Sequence, residues 1–177
     1  MGAAPVVMER IPADSWDQHP GHVARYRYAA EHVRDGDRVN DIACGTGYGA
    51  VLLPGCHYVG YDRPGIPDAS FPGDFRPADL DDPAWVPKPA DVTVCFETLE
   101  HVKDPTRLAR VIAATTRRAI VVSVPVVPTR HENPHHLHDF TETDIPPLFP
   151  GFQVVDQWAQ PAEVSHVWLL ERRPGHA

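Results

Sequence analysis

NDIACGTGYGA, residues 40–50, decides how the rest of the chain is read. It joins an apolar strand, RVNDIA (38–43), to a short helix over about Tyr48–Leu53, and its glycines, Gly45, Gly47 and Gly49, alternate. Glycine takes positive φ and lets the backbone approach a ligand closely. The helix start that follows offers N–H groups to a polar partner. Alternating glycines cost backbone entropy that a bare turn need not spend, so the stretch predicts a ligand site at a strand-to-helix junction. Gly45-x-Gly47-x-x-Ala50 also fits the loose dinucleotide fingerprint, with Asp62 placed to meet a ribose hydroxyl.

Working outward, VARYRYAAEHV before this stretch has Val23, Tyr26, Ala30 and Val33 at helical spacing, predicting a helix from about His22 to Val33. After it come the strands HYVGYD (57–62), a weak FRPADL (75–80), and ADVTVCFE (90–97). The loop RPGIPDASFPGD (63–74) stands where a crossover helix is common, and its prolines and glycines forbid one. PTRLARVIAA (105–114) reads as a helix, RRAIVVSVP (117–125) as a buried strand, and 141–148 as at best a short helix, weakened by Pro146-Pro147. FQVVDQWAQ (152–160) and HVWLLERR (166–173) suit an antiparallel hairpin. The alternation predicts an α/β fold with about seven strands, mostly parallel, one antiparallel strand from the C-terminal hairpin, and reduced helices.

The 177 residues suit a single domain that needs no disulfide staples. Cys44, Cys56 and Cys95 lack the paired spacing of a zinc ribbon or disulfide framework. The formal charge of −8 argues against a nucleic-acid ligand, because phosphate binding draws on Lys and Arg. The longest apolar runs, such as Ala119–Val127, are far too short to span a bilayer, and the start lacks a signal-peptide core. A cytoplasmic protein without a membrane partner is expected; the oligomeric state is left open.

Further residues decide against a nicotinamide cofactor. Asp41 lies inside the strand before Gly45, where a carboxylate suits a cationic amino group, and Asp79 follows the third strand, placed for an adenine amino group. The chain also lacks a second, substrate-binding domain. In this order and spacing the sequence resembles the class I S-adenosylmethionine (SAM) dependent methyltransferases. DIACGTGYG is similar to their first motif, Asp/Glu-x-Gly-x-Gly-x-Gly, with Ala43 in place of the first glycine; VGYD (59–62) and PADL (77–80) resemble the ribose and adenine motifs. ADVTVCFETLEHVKDP (90–105) is similar to the block after the fourth strand in the small ubiquinone-biosynthesis-like branch. ERIP near the start, RYRYAA (25–30) and NPHHLHDF (133–140) resemble small methyltransferases found beside glycosyltransferases and in antibiotic pathways.

The resemblance implies a Rossmann-like domain over 1–177, with 1–34 as a cofactor-covering segment and helix and 35–177 as the core. It also implies that Asp41, Ala43, Gly45 and Gly47 line the methionine part of SAM, Asp62 the ribose, and Asp79 with Leu80 the adenine. Phe96 and Glu97 would lie near the sulfonium. Arg25 and Tyr26 would cover the cofactor, Arg25 pairing with its carboxylate, although Tyr26 serves core packing equally well.

Two readings of the remaining polar residues compete. Glu97, Glu100 and His101 are spaced to share one face if the chain turns helical there, and His131, His135, His136 and His138 crowd the loop after the fifth strand. In one reading a histidine, His136 or His138 first and His101 next, takes the proton of an acceptor hydroxyl. In the other, Glu97, Glu100, His101 and His138 hold a divalent Mg or Mn ion that orients hydroxyls, as in some branches resembling this block. The base is favoured, because the carboxylates can also serve SAM positioning. The function expected is methyl transfer from SAM to a small-molecule acceptor, at a hydroxyl oxygen in secondary metabolism. The alternatives are a metal-assisted RNA ribose 2′-O-methyltransferase, which the acidity opposes, and a non-catalytic SAM-binding protein.

Overall fold

The structure is a computed structural model describing residues 10–160 and 164–175; the Glu9 of ERIP lies outside the described residues. Helix α1 (Pro20–Ala30) opens with proline at its first turn and buries Val23, Arg25, Tyr26 and Ala29. It is followed by β1 (Arg38–Ile42), the four-residue α2 (Gly49–Leu52), β2 (His57–Asp62), β3 (Asp74–Pro77) and β4 (Ala90–Phe96). Helix α3 (Pro105–Thr115) is capped by Asp104, whose side chain accepts from the Arg107 N–H, and it buries Leu108, Ala109, Ile112 and Ala113 on one stripe. The chain ends in β5 (Thr116–Pro125), β6 (Phe152–Ala159) and β7 (Ser165–Arg172).

The strands form one seven-stranded sheet in the order β3-β2-β1-β4-β5-β7-β6. All neighbours from β3 to β5 pair in parallel, and β7 runs antiparallel to both β5 and β6. The expected fold class therefore stands. Two cores cover the two faces. Ile42, Cys95, Ile120, Val122 and Trp168 pack against α3, and Val39, Val92, Val94, Val121 and Val167 pack against Tyr26, Ala29 and Leu53. Central β4 and β5 are buried almost throughout, as strands covered on both faces must be, whereas β6 at the edge is mostly exposed.

The differences from the sequence reading are local. As expected from its prolines, 63–74 carries no crossover helix, and none follows β3 either. The third strand stops at Pro77 and frees Asp79 and Leu80 into a turn. Within 141–148 only Pro146–Leu148 coils, as a single 3-10 turn, because the paired prolines lack the N–H groups a longer helix needs.

The topology positions the site. From β1 the sheet grows to β2 on one side and to β4 on the other, so the loops leaving the carboxyl ends of β1 and β4 part and open a crevice. The register sets Ile42 beside Tyr61 of β2 and Cys95 of β4. The glycine turn, Asp62 and Phe96-Glu97 are thereby brought to one edge.

Candidate cofactor and acceptor site

A single cavity of about 890 Å³ occupies that crevice. One end is walled by Gly45, Asp62, Asp79 and Leu80, and the other by Glu97, Glu100, His101 and His136.

At the first end, Gly45 and Gly47 both take positive φ, 58° and 97°. Ala43 also sits in the left-handed region at φ 60°, so it occupies the strained conformation in which the related motif carries glycine. A Cβ on Gly45 would meet nothing within 4 Å, because that face opens onto the cavity. Gly47 does different work from the one expected: its Cβ would stand 2.5 Å from the Phe75 ring, so its bareness admits Phe75 against the back of the turn. The turn's N–H groups are largely used inside the protein. Gly45 N–H donates to Asp62 Oδ2 at 2.8 Å and Gly47 N–H to the Cys44 carbonyl at 3.1 Å. Asp62 Oδ1 accepts from the Arg63 N–H at 2.7 Å, so this carboxylate ties the two turns together at the cavity wall.

Asp41 lies behind the turn. It is 1% exposed, and its Oδ2 accepts hydrogen bonds from Tyr26 at 2.8 Å and from Tyr58 at 2.6 Å. Burial raises its carboxyl to about 7, against the opposing pull of the two tyrosine hydrogen bonds. Its Oδ2 thus ties α1 and β2 to the strand that enters the turn. Tyr26 is on the cavity wall and also meets Phe96 edge-on at 5.0 Å, so it serves both core and site.

This carboxyl has a consequence for stability. The raised native value lies above the unfolded one of 3.8, so the native state holds the proton more tightly. The associated stability is full below about pH 4, is lost as pH rises towards 7, and is gone above it, at about 1.4 kcal/mol for each pH unit between the two values. The melting temperature of the ligand-free protein is expected to fall between pH 4 and 7 for this reason. Asp41→Asn, whose amide oxygen still accepts from the tyrosines, should flatten that slope; an unchanged slope would show that another group titrates.

Arg25 is not among the cavity's wall residues. It is 1% exposed, its Nη1 donates to Gln160 Oε1 at 2.7 Å, and it stands 3.8 Å from Glu97 Oε1. In this arrangement Arg25 supports Glu97. Glu97 itself has φ 48° at the end of β4, and its two oxygens accept from Ser123 Oγ at 2.6 Å and Ser165 Oγ at 2.7 Å. Sequence reasoning missed Ser123, Ser165, Gln160 and Tyr58, which lie 26 to 135 residues from their partners in three of these bonds. It also missed His22, whose Nδ1 meets the Tyr48 hydroxyl at 3.1 Å, and whose burial lowers it to about 3.

The histidine loop docks through its backbone. Leu137 and His138 N–H both donate to the Glu100 carbonyl, at 2.7 and 3.3 Å. This brings His136 edge-on to His101, with ring centres 4.6 Å apart. His101 Nδ1 meets the His135 carbonyl at 3.1 Å; a carbonyl only accepts, so Nδ1 is the donor. His136 Nδ1 pairs with the Thr129 hydroxyl at 2.6 Å, another partner the sequence did not show. Burial lowers the His136 imidazole; His135 adds to this, while Glu97 and Asp139 oppose it. His138 is placed elsewhere. Its Nε2 donates to the Val102 carbonyl at 2.9 Å, and it is not among the cavity's wall residues. Among the described residues, the grouping able to offer ligand atoms to a metal is Glu100, His101 and His136, with those atoms within 4.8 Å of one another. Glu97 and His138, expected in that set, are bound to the serines and to Val102 instead.

The profile of a methyltransferase domain matches residues 22–171. The chain belongs to that methyltransferase family. No curated protein matches it by sequence. Among solved structures, the methyltransferase is similar to magnesium protoporphyrin IX methyltransferase from Synechocystis with S-adenosylhomocysteine bound, at TM-score 0.70 and 15% identity over 94% of this chain and 90% of that one. It is similar to mitomycin 7-O-methyltransferase at TM-score 0.67 and 16% identity, over 90% of this chain and 60% of that one. The [4+2]-cyclase SpnF shares the fold at TM-score 0.72 and 13% identity, over 94% and 86%. The fold is that of the class I, SAM-dependent methyltransferases, and residues of the glycine turn suit such a cofactor. Gly45 leaves open the face a side chain would fill, and the turn is held by a carboxylate at the next strand's end. No helix among the described residues is long and apolar enough to cross a membrane.

Proposed function

We propose that this methyltransferase, a single domain with its N-terminal segment over the cofactor, transfers the methyl group to a hydroxyl oxygen of a small molecule of secondary metabolism. The observation that carries this reading is the continuity of one cavity from the glycine turn to the imidazoles of His101 and His136. Bound SAM supplies an activated methyl group, so the protein has chiefly to align donor and acceptor. Gly45, Ala43, Asp62, Asp79 and Leu80 hold the cofactor, with Tyr26 and Phe96 against it and Glu97 near its charged centre. Glu97 is fixed by Ser123, Ser165 and Arg25, which keeps its carboxylate at the wall. His136 receives the hydroxyl proton at Nε2 when its Nδ1 donates to Thr129, and His101 stands edge-on beside it. The acidic chain supports a small acceptor over RNA.

A base with a lowered value is neutral over a wider range. Activity is expected to be full by pH 7, with its acid limb below the usual 6.5 of histidine. His136→Ala should remove that limb and lower turnover about 100-fold, within the usual range for a lost general base, while SAM affinity stays near wild type. Retention of the limb in His136→Ala and its loss in His101→Ala would move the base to His101. An enzyme inactivated by EDTA and restored by Mn²⁺ would instead place a metal on Glu100, His101 and His136.

A further inference from the structure

Between β3 and β4, residues 78–89 form no helix or strand, and Asp79 and Leu80 of that stretch wall the cofactor end of the cavity. Main-chain carbonyls outside regular structure need partners from elsewhere. Some bonds are local: Asp82 N–H donates to the Asp79 carbonyl at 3.1 Å, and Asp81 N–H to Asp79 Oδ1 at 3.0 Å. Three more come from one side chain on another element. Arg107, in the first turn of α3, donates through Nη1 to the Leu80 carbonyl at 3.1 Å and through Nη2 to the carbonyls of Asp82 and, at 2.9 Å, Trp85.

Helix formation does not explain an arginine there. A cation in a first turn meets the positive end of the helix dipole, and the Asp104 cap uses only the Arg107 main-chain N–H. The guanidinium suits the carbonyls instead: it is permanently charged and holds several N–H donors in a rigid plane. Other contacts confine the same stretch. Lys103 N–H donates to Asp81 Oδ1 at 2.8 Å, and the Trp85 ring meets Tyr61 of β2 edge-on, with ring centres 5.5 Å apart. Arg107 is not among the cavity's wall residues, so it acts on a ligand only through the turn it holds.

We infer that Arg107 is a positioning residue for the cofactor's base: by clamping the carbonyls of Leu80, Asp82 and Trp85 it sets the Asp79 carboxylate and the Leu80 side chain against adenine. This rests on the reading above that Asp79 and Leu80 hold the cofactor, and it adds the residue that gives them their aim. With Oδ1 held inside the turn, the direction of Asp79 Oδ2 is fixed along with it. A carboxylate oxygen accepts from the exocyclic amino group of adenine and repels the oxygen that replaces it in hypoxanthine. A turn held in place therefore discriminates between the two bases, and a turn set loose does not.

The test is calorimetric binding of S-adenosylhomocysteine and S-inosylhomocysteine, which differ in the base alone, to the whole protein. The wild type is expected to prefer the adenosyl ligand by about tenfold or more, the value of a hydrogen bond to a charged group. Arg107→Ala should lose most of that preference by weakening the adenosyl ligand, with the inosyl ligand bound nearly as before. Arg107→Lys keeps the charge without the planar fork and should fall between the two; it decides the matter if Arg107→Ala does not fold. Arg172→Ala is the control. That arginine also donates to main-chain carbonyls, those of Ala113 near the far end of α3 and of Arg117, so its loss should lower the melting temperature and leave both affinities unchanged. An unchanged preference in folded Arg107→Ala, or in Arg107→Lys where the alanine variant does not fold, overturns the positioning role. Equal weakening of both ligands, or the same loss of preference in Arg172→Ala, overturns it too and makes Arg107 a support of the fold. A wild type that binds both ligands equally overturns the placing of Asp79 at the base, and the inference with it. A wild type that binds neither overturns the methyl-transfer reading itself.

Discussion

Gly45→Val is expected to fold and to lose SAM binding, whereas Gly49→Val is expected to be strongly destabilised. A side chain at position 45 projects into open cavity, where nothing lies within 4 Å of its Cβ. Its cost to folding is the left-handed φ of 58°, about 1–2 kcal/mol and somewhat more for a β-branched residue. A domain stable by about 5–15 kcal/mol survives that. The cofactor does not survive it, because the isopropyl group occupies the surface that glycine leaves to the ligand. At position 49 the backbone is ordinary and the space is not. A Cβ would stand 2.4 Å from Tyr26 Cε1 and 2.7 Å from Asp41 Oδ2. Both are buried and bonded to each other, so neither can yield without opening the turn. Overpacking of about 1–3 kcal/mol then adds to the loss of a buried hydrogen-bonded carboxyl. Thermal melting and calorimetry on the two variants check this; wild-type affinity in folded Gly45→Val would remove the turn from the cofactor site.

Asp62→Ala should weaken SAM and S-adenosylhomocysteine alike by about 10- to 150-fold, the value of a charge-assisted hydrogen bond of about 1.5–3 kcal/mol. The structure adds a second cause to the ribose contact, since the same carboxylate accepts the N–H of Gly45 and of Arg63. Removing it leaves those donors unmet and loosens the turn. Asp62→Asn, which can still accept one of them, is expected to recover part of the affinity. SAM should raise the melting temperature of the wild type by linkage, and NADH should not. A larger shift with NADH would overturn the cofactor assignment.

The parts of this protein written in local order were legible before any coordinates. Alternating glycines between an apolar strand and a helix, an acidic residue ending the next strand, and prolines closing the usual crossover position all act over a few bonds of chain. The residues that share the cavity follow from that order, because parallel strands deliver their carboxyl ends to one edge. Asp41 shows where local reading stops. Its place in the strand was plain, but Tyr58, whose hydroxyl donates to Asp41 Oδ2, arrives on a neighbouring strand.

The sequence by itself determined the α/β class, the strand-to-helix cofactor turn and the presence of a histidine loop after β5, because periodicity and backbone permissiveness are local properties. Only the tertiary structure decided which polar groups face the ligand. Arg25 and Glu97 are drawn into a buried network with Ser123, Ser165 and Gln160, since a charge taken from water must find partners wherever the fold supplies them. His138 is bound to the Val102 carbonyl while His136 reaches the cavity, a choice set by two backbone hydrogen bonds to Glu100 that no spacing of histidines encodes.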